Sequence, residues 1–119
     1  MINELITLGA FCDVLNKYHK DFIIYFSTSI TDYELNKYII EDVEKNGGSI
    51  ILKLTPFLKD EEQKPYSIDD LFTLCPKSNK NDKIILLING KQYSFFEISF
   101  EAENLNNEKR LFFHCAKYK

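Results

Sequence analysis

Cys12 and His114 are the two side chains in this sequence whose pairing would supply a nucleophile and its base. A thiol on a helix with an imidazole on a later sheet is how several cysteine hydrolases are built. The local setting argues against it here. Leu5, Leu8, Cys12, Leu15 and His19 fall on one stripe of a helix predicted over residues 1–19, widened by Phe11 and Tyr18. That places Cys12 inside the helix on its apolar side, away from the N-terminal end where the dipole would lower a thiol's pKa. The expectation is a buried, reduced, structural thiol and a chain that is not an enzyme.

Other chemical constellations are weaker. His114 and Cys115 are adjacent on a predicted strand, so they point to opposite faces and cannot ligate one ion together. The sequence holds no C-x₂-C or H-x₃-H spacing, so no metal is expected. Asp69 and Asp70 fall in the first turn of a short helix, where carboxylates are stabilised without any chemistry. Gly47-Gly48 follows a predicted helix and reads as a C-cap, not a phosphate loop, so no cofactor is expected.

Bulk properties narrow the class. The chain has 119 residues, 45% hydrophobic and 28% charged, which fits a single globular domain over 1–119. No apolar run approaches the roughly 20 residues of a membrane span, and the first segment lacks a signal peptide's basic start. Three cysteines, Cys12, Cys75 and Cys115, cannot all pair within one chain. With no signal peptide they fit a reduced, cytoplasmic protein that does not bind membrane. The net charge is −3, and of 15 basic residues only Arg110 is arginine. That argues against direct nucleic-acid binding, which relies on phosphate contacts and bidentate arginine.

The elements that must position any site read in the order α-β-α-β-α-β-β-β. Asp21–Ser27 is a buried strand, rich in β-branched and aromatic residues. Thr31-x-x-Glu34, with Ile30 and Leu35 as a staple, opens a second helix carrying Leu35, Tyr38, Ile39 and Val43 and ending at Asn46-Gly47-Gly48. Ser49–Thr55 is a strand stopped by Pro56, and strand-helix-strand favours parallel pairing through a right-handed crossover. Ser67-x-x-Asp70 opens a third, short helix that stops before Pro76. Asn89-Gly90 then joins two apolar strands in a tight hairpin, pairing Ile88 with Lys91, Leu87 with Gln92 and Leu86 with Tyr93. Apolar residues change face between Phe95 and Phe96, which predicts a bulge or a strand covered on both sides. Arg110–Tyr118 is the last strand. The expected fold is α+β: one mixed, mostly antiparallel sheet of about five strands with three helices, a C-terminal three-stranded meander and no internal repeat.

One feature points outward. Glu97, Ser99, Glu101 and Glu103 share one face of the predicted strand, with Phe96, Ile98, Phe100 and Ala102 on the other. Same-face residues on a strand are about 6.6 Å apart, a spacing comparable to that of a nucleic-acid backbone. Lys109 and Lys117 on the last strand are candidate neutralisers. Asp60, Glu61 and Glu62 form a second acidic cluster, in a charged loop. A compact acidic domain with such a row suits docking to a larger basic protein, where complementary charge raises association rate. The expected function is a small protein-binding inhibitor of the immunity or antitoxin type, neutralising a basic toxin such as a nuclease. The alternatives are an enzyme or ligand-binding domain using Cys12 and His114, a phage-type inhibitor of a host nuclease, and a self-associating structural or accessory subunit using the edge of its aromatic-rich strands.

Overall fold

The structure, a computed structural model, describes residues 5–29, 36–58, 63–74, 80–105 and 108–118, with the backbone alone described at 74, over 95–105 and at 108. Helix α1 (Leu8–Leu15) precedes strands β1 (Ile23–Ser27), β2 (Lys37–Asn46) and β3 (Ser49–Pro56). Helix α2 (Ile68–Leu74) then precedes β4 (Lys83–Ile88), β5 (Lys91–Leu105) and β6 (Glu108–Lys117). The six strands close into a barrel in chain order, β6 returning to pair with β1. Strands β1 with β6 and β3 with β4 are parallel, and the other neighbours are antiparallel.

This corrects the expected open sheet of about five strands with three helices. The segment expected to be the second helix is β2. Tyr38, Ile39, Ile40 and Val43 are strand formers, and tertiary pairing with β3 decides their state over the local helical spacing. The capping signature Thr31-x-x-Glu34, with Ile30 and Leu35, lies outside the described residues. Consequently β1 and β3 are not parallel partners across a helix, and β2 lies between them. The parallel crossover comes one element later, β3-α2-β4. Closure removes both edges that an open sheet would leave unpaired.

The core lies where the pleat sends alternate residues inward. Ile24 and Phe26, Ile50, Leu52 and Leu54, Ile84, Leu86 and Ile88, and Leu111, Phe113 and Cys115 form one buried cluster with Phe11, Val14 and Leu15 of α1 and Ile68 and Leu71 of α2. A second, smaller cluster of Tyr25, Ile39 and Phe112 covers the outer side of the β1–β6 seam. There Tyr25 stacks on Phe112 at 5.3 Å, and the Lys37 ammonium sits 5.2 Å from both the Tyr25 and Phe57 rings.

Both helices start from a capped residue. The Thr7 hydroxyl accepts from the Ala10 N–H at 3.2 Å. At Ser67 the capping box is complete: its hydroxyl accepts from the Asp70 N–H at 3.1 Å, and the Asp70 carboxylate accepts from the Ser67 N–H at 3.0 Å. Helix α1 is shorter than the predicted 1–19 and ends at Asn16, which bonds the Cys12 carbonyl at 2.9 Å. The Asn89-Gly90 hairpin forms as expected, with φ of 52° and 76° and the pairs Ile88–Lys91, Leu87–Gln92 and Leu86–Tyr93. The register of β5 against β6 shifts between Phe95 and Phe100, where the change of face predicted an irregularity. Among the described residues no helix is long and apolar enough to cross a membrane.

Candidate functional site

Cys12 and His114 are held by different parts of the barrel. On β6, Leu111, Phe113 and Cys115 belong to the interior cluster and Phe112 to the outer one, so alternation puts His114 on the outer face. Its ring is 2% exposed. Helix α1 packs against the interior cluster through Phe11, Val14 and Leu15. Cys12 is half-buried beside these residues, which corrects its expected place on the core stripe. Burial, with Asp13 adding, pushes its pKa up, which disfavours the thiolate a nucleophile needs. Cys12 thus stands on a helix over the interior cluster, and His114 on the outer face of β6. Cys115 is a structural thiol: its Sγ donates to the Ser27 carbonyl at 3.3 Å, and burial pushes its pKa up to about 12. Cys75 lies outside the described residues.

The expected acidic row is placed by its backbone. Glu101 is in register with Phe112 and Glu103 with Arg110, while the register shift between Phe95 and Phe100 spans Glu97 and Ser99. The regular two-residue repeat against β6 therefore covers Glu101 and Glu103. The neutralisers are distributed differently from the expectation: Lys109 stands opposite Asn104 and Lys117 opposite Tyr93. Arg110 is 4% exposed, its guanidinium carbon 5.1 Å from the Phe112 ring centre. Asp60, Glu61 and Glu62 lie outside the described residues.

A different acidic feature emerges at the middle of β2. Ile40 pairs with Leu54 and Asp42 with Lys53, so Glu41 is an extra residue in the ladder. Ile40 and Val43 both pack on the interior cluster, three positions apart, as only a bulge permits. Glu41 and Asp42 are consequently adjacent, exposed carboxylates outside the barrel. Asp42 is oriented by the Val43 N–H, 2.9 Å from its carboxylate.

The bulge forms one wall of an open cleft of about 370 Å³, lined by Ile39, Ile40 and Glu41 of β2, Thr55 of β3, and Gln63, Lys64 and Tyr66 of the segment leading into α2. A second hollow of about 220 Å³ continues past Lys64 and Tyr66 to Pro65 and Asp70. Burial pushes the Tyr66 phenol up, and the Asp42 and Asp70 carboxylates add to the shift. The Tyr66 phenol thus stays protonated. Asp70 itself is held below the ordinary carboxyl value by its bond from the Ser67 N–H. Of the residues lining the two hollows, Glu41, Asp70 and Lys64 carry charge, and Asp42 beside Glu41 stands in register with Lys53.

Gln63 fixes the rim. Its side-chain amide donates to the Pro56 carbonyl at 2.9 Å and accepts from the Leu58 N–H at 2.6 Å. This presents Leu58, 50% exposed and the one large apolar side chain so exposed among the described residues. The cleft is therefore an acidic, tyrosine-bearing surface with an apolar rim. Among the described residues no three His, Cys, Asp or Glu side chains gather as metal ligands.

Sequence reasoning missed this site because it read β2 as a helix. The available signal was Asn46-Gly47 between two apolar runs, the same hairpin dipeptide as Asn89-Gly90. Comparison with protein-family models, with curated proteins and with solved structures finds no match to this chain.

Proposed function

We propose that this chain is a small cytoplasmic protein-binding inhibitor of the immunity or antitoxin type, which docks to a larger basic protein such as a nuclease toxin. The observation that carries this reading is the β2 bulge, which sets Glu41 and Asp42 side by side near Tyr66, in a cleft whose Gln63 also holds the backbone of exposed Leu58. Charge at a rim steers encounter, while an aromatic and an apolar residue supply the desolvated contact that slows dissociation. Lysine- or arginine-bearing loops of a cationic cleft match this surface in sign. The sequence adds Asp60, Glu61 and Glu62 immediately before the cleft residue Gln63, and the stretch Glu97, Ser99, Glu101 and Glu103 on β5. Both extend the acidic character that a basic partner would meet.

The test is parallel capture from host lysate with the wild-type chain and with Glu41→Lys/Asp42→Lys. A basic protein retained by the wild type and lost by the variant supports the reading. A partner held equally by both, or an acidic one, contradicts it.

A further inference from the structure

The order α1-β1-β2-β3 recurs as α2-β4-β5-β6, and the backbone bonds that seat the helices recur with it. Ile24 N–H donates to the Tyr66 carbonyl at 2.8 Å, and Ile84 N–H to the Ile6 carbonyl at 2.9 Å. Ile68 N–H donates to the Phe22 carbonyl at 2.9 Å, and Leu8 N–H to the Asp82 carbonyl at 2.8 Å. Asp69 N–H donates to the Lys20 carbonyl at 3.1 Å, and Gly9 N–H to the Lys80 carbonyl at 3.0 Å. Each of these three bonds has its counterpart sixty residues on, residue 6 matching 66, 8 matching 68 and 24 matching 84. The isolated bridges obey the same rule, Thr7 with Lys83 and Ser67 with Ile23. So do the helix caps Thr7 and Ser67, and the buried pairs Phe11 and Leu71, Ile24 and Ile84, and Phe26 and Leu86. In each half the middle strand shifts register against the third.

We infer that the barrel is two fused copies of one αβββ unit, each giving its helix to the other, and that the β1–β6 and β3–β4 seams are a protein–protein interface whose natural occupant is a second such unit. One unit alone would expose two strand edges and leave its helix without a seat, and about 60 residues bury too little to compensate. The second unit answers all three deficits, through five registered pairs on one seam and six on the other. Matched positions share few identities, Ile24 with Ile84 and Lys20 with Lys80 among them, and others change class, as Phe22 to Asp82, so the repeat is not evident in the sequence and corrects the expectation of none.

The test uses the whole chain. A protease recognition sequence is inserted between Asp60 and Glu61, in the stretch whose described flanks are tied by the bonds of Gln63 to Pro56 and Leu58. After cutting, the two pieces are expected to co-elute as one particle with native circular dichroism. After denaturation and dilution they reassociate, with a midpoint that falls as concentration falls. Mixing with isotopically labelled cut protein gives hybrids in native mass spectrometry. Pieces that elute apart, or fail to refold while the uncut control refolds, overturn the inference. Should the insertion itself unfold the chain, a permutant beginning at Gln63, with a flexible linker from Lys119 to Met1, presents the units in reverse order. Equivalence requires the same barrel spectrum and a cooperative melt from it, and an unfolded permutant overturns the inference.

Discussion

The N–H of Gly9 donates to the carbonyl of Lys80 at 3.0 Å, and a Cβ on residue 9 would lie 3.3 Å from both that oxygen and the Lys80 Cβ. The first helix is thereby pressed against the turn that leads into β4. Alanine in a helix ordinarily stabilises by roughly 1 kcal/mol over glycine. Here Gly9→Ala is expected to give no gain in melting temperature, because the tight backbone contact offsets the propensity. Gly9→Val is expected to cost about 1–3 kcal/mol through overpacking. Thermal denaturation of the two variants checks both.

Asn89 and Gly90 hold positive φ angles of 52° and 76°, the left-handed backbone that a two-residue hairpin needs. Gly90→Val is expected to destabilise the domain by roughly 1–3 kcal/mol, since a β-branched residue is strained there although nothing lies within 4 Å of its Cβ. Gly47, with φ of 61°, is in the same state and is expected to respond in the same way. Denaturant midpoints for Gly47→Val and Gly90→Val, both displaced downward, are the expected readout.

These two glycines also show how far the sequence was legible. Asn-Gly between apolar runs marks a hairpin in both places, yet only the second is free of a competing helical pattern. At Asn46-Gly47 the upstream Leu35, Tyr38, Ile39 and Val43 also satisfy helical spacing, and the Thr31 signature looks like a helix start. Period-3.6 and period-2 readings compete over so short a run, and the ladder with β3 decides. Barrel closure was not legible either, because no local pattern encodes which edge strands meet. The candidate cleft depends on a bulge, a feature of pairing that emerges once β2 is a strand. The Ser67–Asp70 cap and the three C-terminal strands were legible because their signals are local.

Acid should act through Asp70. Its carboxyl titrates below the ordinary 3.8 in the folded chain. The stabilisation it brings is therefore present above that value and lost as pH falls through the folded pKa. Asp70→Asn is expected to melt lower than wild type at pH 7, by about 1 kcal/mol for a weakened cap, and to converge with it in strong acid. Melting curves of both proteins from pH 7 to pH 2 measure this.

The buried thiol sets the alkaline counterpart. Cys115 titrates near 12 in the folded chain against 9.0 for an ordinary thiol. Its stabilising contribution is complete below pH 9 and declines as pH rises towards 12. Iodoacetamide at pH 8 is expected to leave Cys115 unmodified in the native protein and to label Cys12 more slowly than a free thiol. Peptide mass spectrometry reads each site separately. Fast native labelling of Cys115 would contradict its burial.

The central claim is that the bulge carboxylates beside Tyr66 meet a basic partner. The most direct measurement is the association rate with the captured partner as a function of ionic strength, for wild type and for Glu41→Lys/Asp42→Lys. Surface substitutions of this kind shift stability by less than about 0.5 kcal/mol each, so folding should be intact. Wild-type association is expected to fall steeply with added salt, and the variant to associate at least tenfold more slowly at low salt with a flatter slope. The Glu97→Lys/Glu101→Lys/Glu103→Lys variant, measured beside it, reports the share of β5. Equal rates and equal salt dependence for wild type and the Glu41/Asp42 variant would contradict the account.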